Sequence, residues 1–224
     1  MPKPARVVEF LGPPGSGKTT LTKVLLKQKA DLEITIFPYF REVTQLPFFA
    51  KSLLSFSPIL FHFYKKSRGN EIARRDIALM TILNKWDETL IHQSIRRGKT
   101  IILEEGAICL LAKLSAFGSD FLKSDVSDEW WKNTFRKWAE TINVVIQLDT
   151  PISILLKRIR SRELQYEIGT MSDEEALCYL TQIQTAQNTI VSHLMAESHH
   201  PELHRVSTAD CSPEQIYRDV MKVI

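Results

Sequence analysis

Cysteine is scarce in this chain of 224 residues: there are three, Cys109, Cys178 and Cys211, and they are far apart. An odd number without any CxxC pair or Cys/His cluster excludes a disulfide framework and a structural zinc site. Long apolar runs are also missing. Leu46 to Tyr64 comes nearest, but Pro47, Lys51, Pro58 and His62 interrupt it, whereas a spanning helix needs about 20 mostly apolar residues. The stretch Met1 to Phe10 has no apolar signal core, so the expectation is a soluble, cytoplasmic protein without a transmembrane segment. Charge of one sign is nearly balanced by the other, 29 Lys and Arg against 26 Asp and Glu, for a formal net charge of +3. That gives no argument for nucleic acid as a partner. Internal repeats and low-complexity linkers are absent too. What remains is an ordinary globular composition, with 44% hydrophobic residues, in a length that suits one domain over residues 1–224.

Strand and helix patterns alternate along the chain. Arg6 to Leu11, Ile34 to Phe37, Thr100 to Leu103, Asn143 to Leu148 and Leu203 to Val206 read as short buried strands. Between them, Thr20 to Lys29, Ile72 to Arg97, Asp128 to Glu140, Pro151 to about Arg162, a segment capped by Ser172 with Glu175 three residues on, and Pro213 to Val223 read as helices. Such alternation predicts a three-layer α/β fold: a parallel sheet of about five strands with helices on both faces. Leu46 to Lys66 reads as one or two helices broken near Pro58. It carries Phe48, Phe49, Phe56, Phe61 and Phe63, whose first reading is a helical subdomain packed on the sheet. An apolar acceptor pocket, a homodimer face and a membrane-surface contact are the alternatives.

The chemistry is concentrated at Gly12 to Thr19, GPPGSGKT, which fits G-x-x-x-x-G-K-[ST] between a strand and a helix. A loop that wraps a triphosphate must turn successive backbone N–H groups inward. Glycine allows that backbone and removes the Cβ that would hold phosphate away. Gly12, Pro13, Pro14, Gly15, Ser16, Gly17, Lys18, Thr19 and Thr20 are thus the nucleotide-binding candidates. The helix that begins near Lys18 points its positive end at the anion, Lys18 reaches the terminal phosphates, and the Thr19 hydroxyl can ligate Mg²⁺. The expected cofactors are ATP and Mg²⁺.

The loop alone does not separate switches, motors and kinases. Asn84-Lys85-Trp86-Asp87 spells the guanine-reading NKxD, but it falls inside an amphipathic helix, and no DxxG precedes it. Glu104 and Glu105 end the third strand, at the carboxyl edge where ligands bind in such sheets. An acid there, Glu104 or Glu105, either holds magnesium through water, with Glu104 the candidate ligand, or accepts a proton from an acceptor hydroxyl. Asp149 is expected to cap the helix that follows it. Arg158 and Arg162 share a helix face, either as catalytic arginines over the phosphates or as a solvated basic face.

GPPGSGKTT, IRRGKTIILEEG, LDTPISILLKRIRSRE and HRVSTADCSPEQIYRDVMKVI, in that order, resemble the nucleoside and nucleotide kinase group of P-loop proteins, especially thymidylate kinase-like enzymes. The resemblance implies an ATP-dependent transfer of the γ-phosphate to a small-molecule acceptor, a nucleoside or nucleotide. It implies a helical acceptor-binding insertion over 38–98 and a lid over 158–175 that carries Arg158 and Arg162. It also implies an adenine-side contact at Ser207, Thr208 and Ala209, and acceptor contacts from Arg41, Arg74 or Arg75. The chain departs from thymidylate kinases at Glu104-Glu105, where those enzymes show Asp-Arg, and this turns the expectation toward a neutral hydroxyl acceptor. The alternatives are a regulatory, partner-stimulated NTPase without a small acceptor and a nucleotide-binding protein without turnover.

Overall fold

The computed structural model describes residues 6–28, 32–35, 50, 53, 54, 56, 57, 61, 73–161, 167–209 and 211–224. Its centre is a parallel five-stranded sheet in the order β2-β3-β1-β4-β5. The strands are β1 (Val7–Leu11), β2 (Leu32–Thr35), β3 (Thr100–Leu103), β4 (Val144–Asp149) and β5 (Glu202–Ser207). All five residues of β1 are buried. Helices cover both faces, so β1 is apolar on both sides, apart from Glu9, instead of alternating in and out.

Alternation decides which face each β1 side chain enters. Val8 and Phe10 pack with Leu21 and Leu25 of α1 (Lys18–Gln28) and with Val220 of α8 (Pro213–Met221). Val7 and Leu11 enter the larger core on the opposite face. That core is built from α2 (Arg74–Arg97), α3 (Ala107–Phe117), α4 (Asp128–Thr141) and α7 (Asp173–Met195). A third cluster joins Leu155 and Ile159 of α5 (Ile152–Arg160), Ile168 of α6 (Glu167–Thr170), and Ala176 and Leu180 of α7. Phe56 is buried in the larger core and Phe61 is exposed. Phe48, Phe49 and Phe63 lie outside the described residues, as do Arg41 and Arg162.

The long amphipathic helix carries the stripe Leu79, Ile82, Leu83, Trp86 and Leu90 that its sequence spacing predicts: the last four are buried, Leu79 is half-buried against the core, and the NKxD look-alike sits within the helix. The Ser172–Glu175 capping box is formed at the start of α7. Three expectations need correction. The sequence reading assigns no helix to Ala107–Phe117, yet α3 is there with seven buried residues; its first six residues are apolar and buried in succession, which leaves no 3.6-residue stripe to read. On α4, where the sequence places Trp131, Phe135 and Trp138 on one helical face, Phe135 and Trp138 are buried, but Trp131 is half-buried, donating Nε1–H to the Leu122 carbonyl at 3.0 Å, and Trp130 is buried as well. Asp149 does not cap α5: Pro151 is the N-cap residue, no side chain caps it, and Asp149 is exposed.

Candidate functional site

β3 and β4 flank β1 on opposite sides, so the crevice outside the carboxyl end of β1 lies where the chain order reverses. The loop Gly12–Thr19 fills that position. Gly15 and Gly17 have φ of 87° and 102°, a region that side-chain-bearing residues rarely enter. The two have different surroundings. A Cβ on Gly15 would meet the Leu155 carbonyl at 3.0 Å, because α5 packs against the loop; a Cβ on Gly17 would meet nothing within 4 Å. Gly17 therefore faces open space, the side from which an anion can approach.

Lys18, the first residue of α1, curls back so that its ammonium donates to the Gly12 carbonyl at 2.6 Å and the Pro13 carbonyl at 3.1 Å. Desolvation lowers its pKa, against the charges of Glu105 and Glu104, which raise it. Gln187 of α7, buried, donates to the same Gly12 carbonyl at 3.4 Å. The Thr19 hydroxyl donates to Glu104 Oε1. This separates the two acids that the sequence left equivalent: Glu104 joins the loop, whereas Glu105 turns toward Lys113, 3.4 Å away. A hydroxyl and a carboxylate brought together beside a recessed ammonium are the oxygen ligands that a hard divalent cation takes alongside phosphate oxygens. The residues thus fit magnesium.

Arg158 lies on the opposite side of the loop. Its guanidinium donates to the Thr208 carbonyl at 2.5 Å and the Thr208 hydroxyl at 3.3 Å. That hydroxyl also meets Thr150 and donates to the Ser16 carbonyl at 3.3 Å. Arg158 therefore braces the β5–α8 connection against the loop. Arg160 lashes α5 to the start of α7 through Asp173 at 2.9 Å and the carbonyls of Ile168, Gly169 and Met171. Arg74 is exposed. Arg75 donates to the Phe117 carbonyl at 3.1 Å, at the far end of α3 from Glu104 and Glu105. An 11-residue helix puts that end about 16 Å away.

One group escaped the sequence reading. Glu9, in the middle of β1, is fully buried, and its carboxyl accepts the N–H of Ile108 at 3.2 Å and of Cys109 at 3.1 Å. Burial pushes its pKa up to about 8, although these bonds and the Lys18 charge pull it down. Burial also pushes the Cys109 thiol up to about 11, which leaves it a poor nucleophile. The signal was present in the sequence: a single acid inside an otherwise apolar run that ends in a phosphate loop.

No family model matches this chain, and no curated protein matches it. Solved structures do. A thymidylate kinase from Candida albicans matches with a TM-score of 0.62 at 13% identity, over 99% of this chain and 91% of that one. A deoxyadenosine kinase from M. mycoides, with dCMP and dCDP bound, matches at 0.55 and 15% identity, over 97% of each chain. The same kinase with bound dATP matches at 0.56 and 13% identity, over 97% of this chain and 98% of that one. The fold is the one these kinase structures have, matched over 97–99% of this chain. Among the described residues no helix is long and apolar enough to cross a membrane.

Proposed function

We propose that this protein is a small-molecule kinase that transfers the γ-phosphate of magnesium ATP to a hydroxyl acceptor of the nucleoside or nucleotide class. The observation that carries the reading is the meeting of Thr19 and Glu104 beside Lys18, in a fold shared over nearly its whole length with kinases of that group. The loop amides and Lys18 bind the β- and γ-phosphates. Thr19 and Glu104 hold magnesium, which supplies positive charge to the phosphate oxygens when bound. Lys18 leaves the Gly12 and Pro13 carbonyls for the phosphates, so the lysine arrives with little reorganisation. Arg158 and Thr208 shape the base side of the nucleotide site. With no covalent intermediate needed, catalysis is positioning and charge neutralisation.

The test is ADP or GDP release from magnesium ATP or GTP across a panel of nucleosides, nucleotides, sugars and antibiotics. Release that depends on a nucleoside or nucleotide acceptor is expected, with ATP preferred. Release that depends only on a protein partner, or tight nucleotide binding with no release, overturns the kinase reading.

A further inference from the structure

The N-cap residue of α3 is Gly106, whose φ of −90° and ψ of −161° suit any residue, and no side chain of its own caps the helix. Two facts explain both the glycine and the missing cap. The Glu9 carboxyl accepts the N–H groups of Ile108 and Cys109, the second and third of the helix, which a Ser or Asp at position 106 would ordinarily accept. A Cβ on Gly106 would lie 2.4 Å from Glu9 Cδ. The cap is therefore supplied from β1, nearly a hundred residues earlier. β1 leads into the phosphate loop, and Gly106 follows Glu104 and Glu105 directly. The carboxyl thus ties the strand that leads into the loop before Lys18 and Thr19 to the turn that carries the acid facing Thr19.

We propose that Glu9 is a positioning residue that sets where Glu104 stands relative to Thr19, and so tunes how the site holds magnesium with nucleotide. This rests on the nucleotide-site reading above. Lys18 on the loop, Glu104 and Glu105 after β3, and Cys109 and Lys113 on α3 are the ionisable groups around the tie.

A plain cap and a tether give different results when the cap is rebuilt locally. Glu9→Gln keeps the shape but turns an NH₂ toward one of the two N–H groups. Glu9→Ala with Gly106→Ser frees the space and places a hydroxyl at the usual capping position. The probes are ADP with magnesium titrated in, and ADP in EDTA, both by calorimetry. Glu9→Gln and the double variant are both expected to need about ten-fold more magnesium for half-saturation, the scale of losing a group that orients a metal ligand. ADP binding in EDTA is expected to change by less than about two-fold, and the double variant to recover the wild-type melting temperature. In the wild type, the amide resonances of Ile108 and Cys109 should shift when magnesium is added to the ADP complex. Wild-type magnesium dependence in Glu9→Gln or in the double variant overturns the proposal, as do unmoved amides in the wild type. The amide measurement decides the matter even if a variant fails to fold. A wild-type protein that binds no nucleotide overturns the site reading itself, and the tether with it.

Discussion

Two regions of this molecule bring a lysine and a carboxylate out of water, in opposite ways. Between α2 and α4, Lys137 lies 2.7 Å from Asp87, whose side chain is 7% exposed, and also reaches the Asn84 carbonyl. Next to it, Trp138 donates Nε1–H to the Leu83 carbonyl at 3.1 Å. Burial raises the Asp87 pKa and Lys137 pulls it back. Around the central strand β1, Lys18 and Glu9 are both desolvated, yet the ammonium is lent to loop carbonyls and the carboxyl to helix amides. Their pKa values are pushed in the directions that favour the uncharged forms. A mutually satisfied pair clasps two helices. At the loop the Lys18 ammonium, held only on backbone carbonyls, can be released to an incoming anion, while the Glu9 carboxyl stays on the helix start.

The comparison can be broken most forcefully at Lys18. Lys18→Ala should weaken ADP and ATP binding by about a hundred-fold, the worth of roughly 3 kcal/mol of charge-assisted bonding, and abolish phosphate transfer. Unchanged affinity by calorimetry would place the nucleotide elsewhere. At the helix clasp, Lys137→Met should cost about 2 kcal/mol of stability by leaving Asp87 desolvated and alone, discounted because Lys137 is partly exposed. The double change Asp87→Leu with Lys137→Met should return most of that loss in chemical denaturation, with ADP affinity unaltered throughout.

The Glu9 carboxyl sharpens the contrast through pH. Its folded-state pKa of about 8 lies above the ordinary 4.5. Between those values the folded chain keeps a proton that the unfolded chain has released. Its contribution is therefore complete below the lower value and is lost as pH rises to the upper one. Urea unfolding at pH 5.5 and 8 should show a steeper decline for the wild type than for Glu9→Gln. The smallest effect belongs to a surface pair. Lys222 and Asp219, 2.7 Å apart and largely exposed, should contribute under about 0.5 kcal/mol, read as an almost unmoved melting temperature in Asp219→Asn.

What the sequence disclosed follows from how local each signal is. The phosphate loop, the α2 stripe and the Ser172–Glu175 box are set by residues a few positions apart, and all three are present. The choice between Glu104 and Glu105 depends on how β1 and β3 sit side by side, with Glu9 opposite Leu103, and spacing holds no information about that. α3 was invisible because its first six residues are all buried, so no in-out stripe marks its start. Arg158 carries the right charge on the right helix, but its partner, Thr208, is 50 residues away. Asp149-Thr150-Pro151 looked like a helix start; there Thr150 is buried against Thr208, and Asp149 is left outside.

The contact between the Glu9 carboxyl and Gly106 has an evolutionary consequence. Neither position can drift alone, since any side chain at 106 evicts the acid and loss of the acid leaves a helix start bare. Across lineages the two letters should change as a couple: acid with glycine, or a short residue with serine, threonine or aspartate. Intermediates between those states would carry a handicap, so the switch should be rare and, once made, inherited by whole branches.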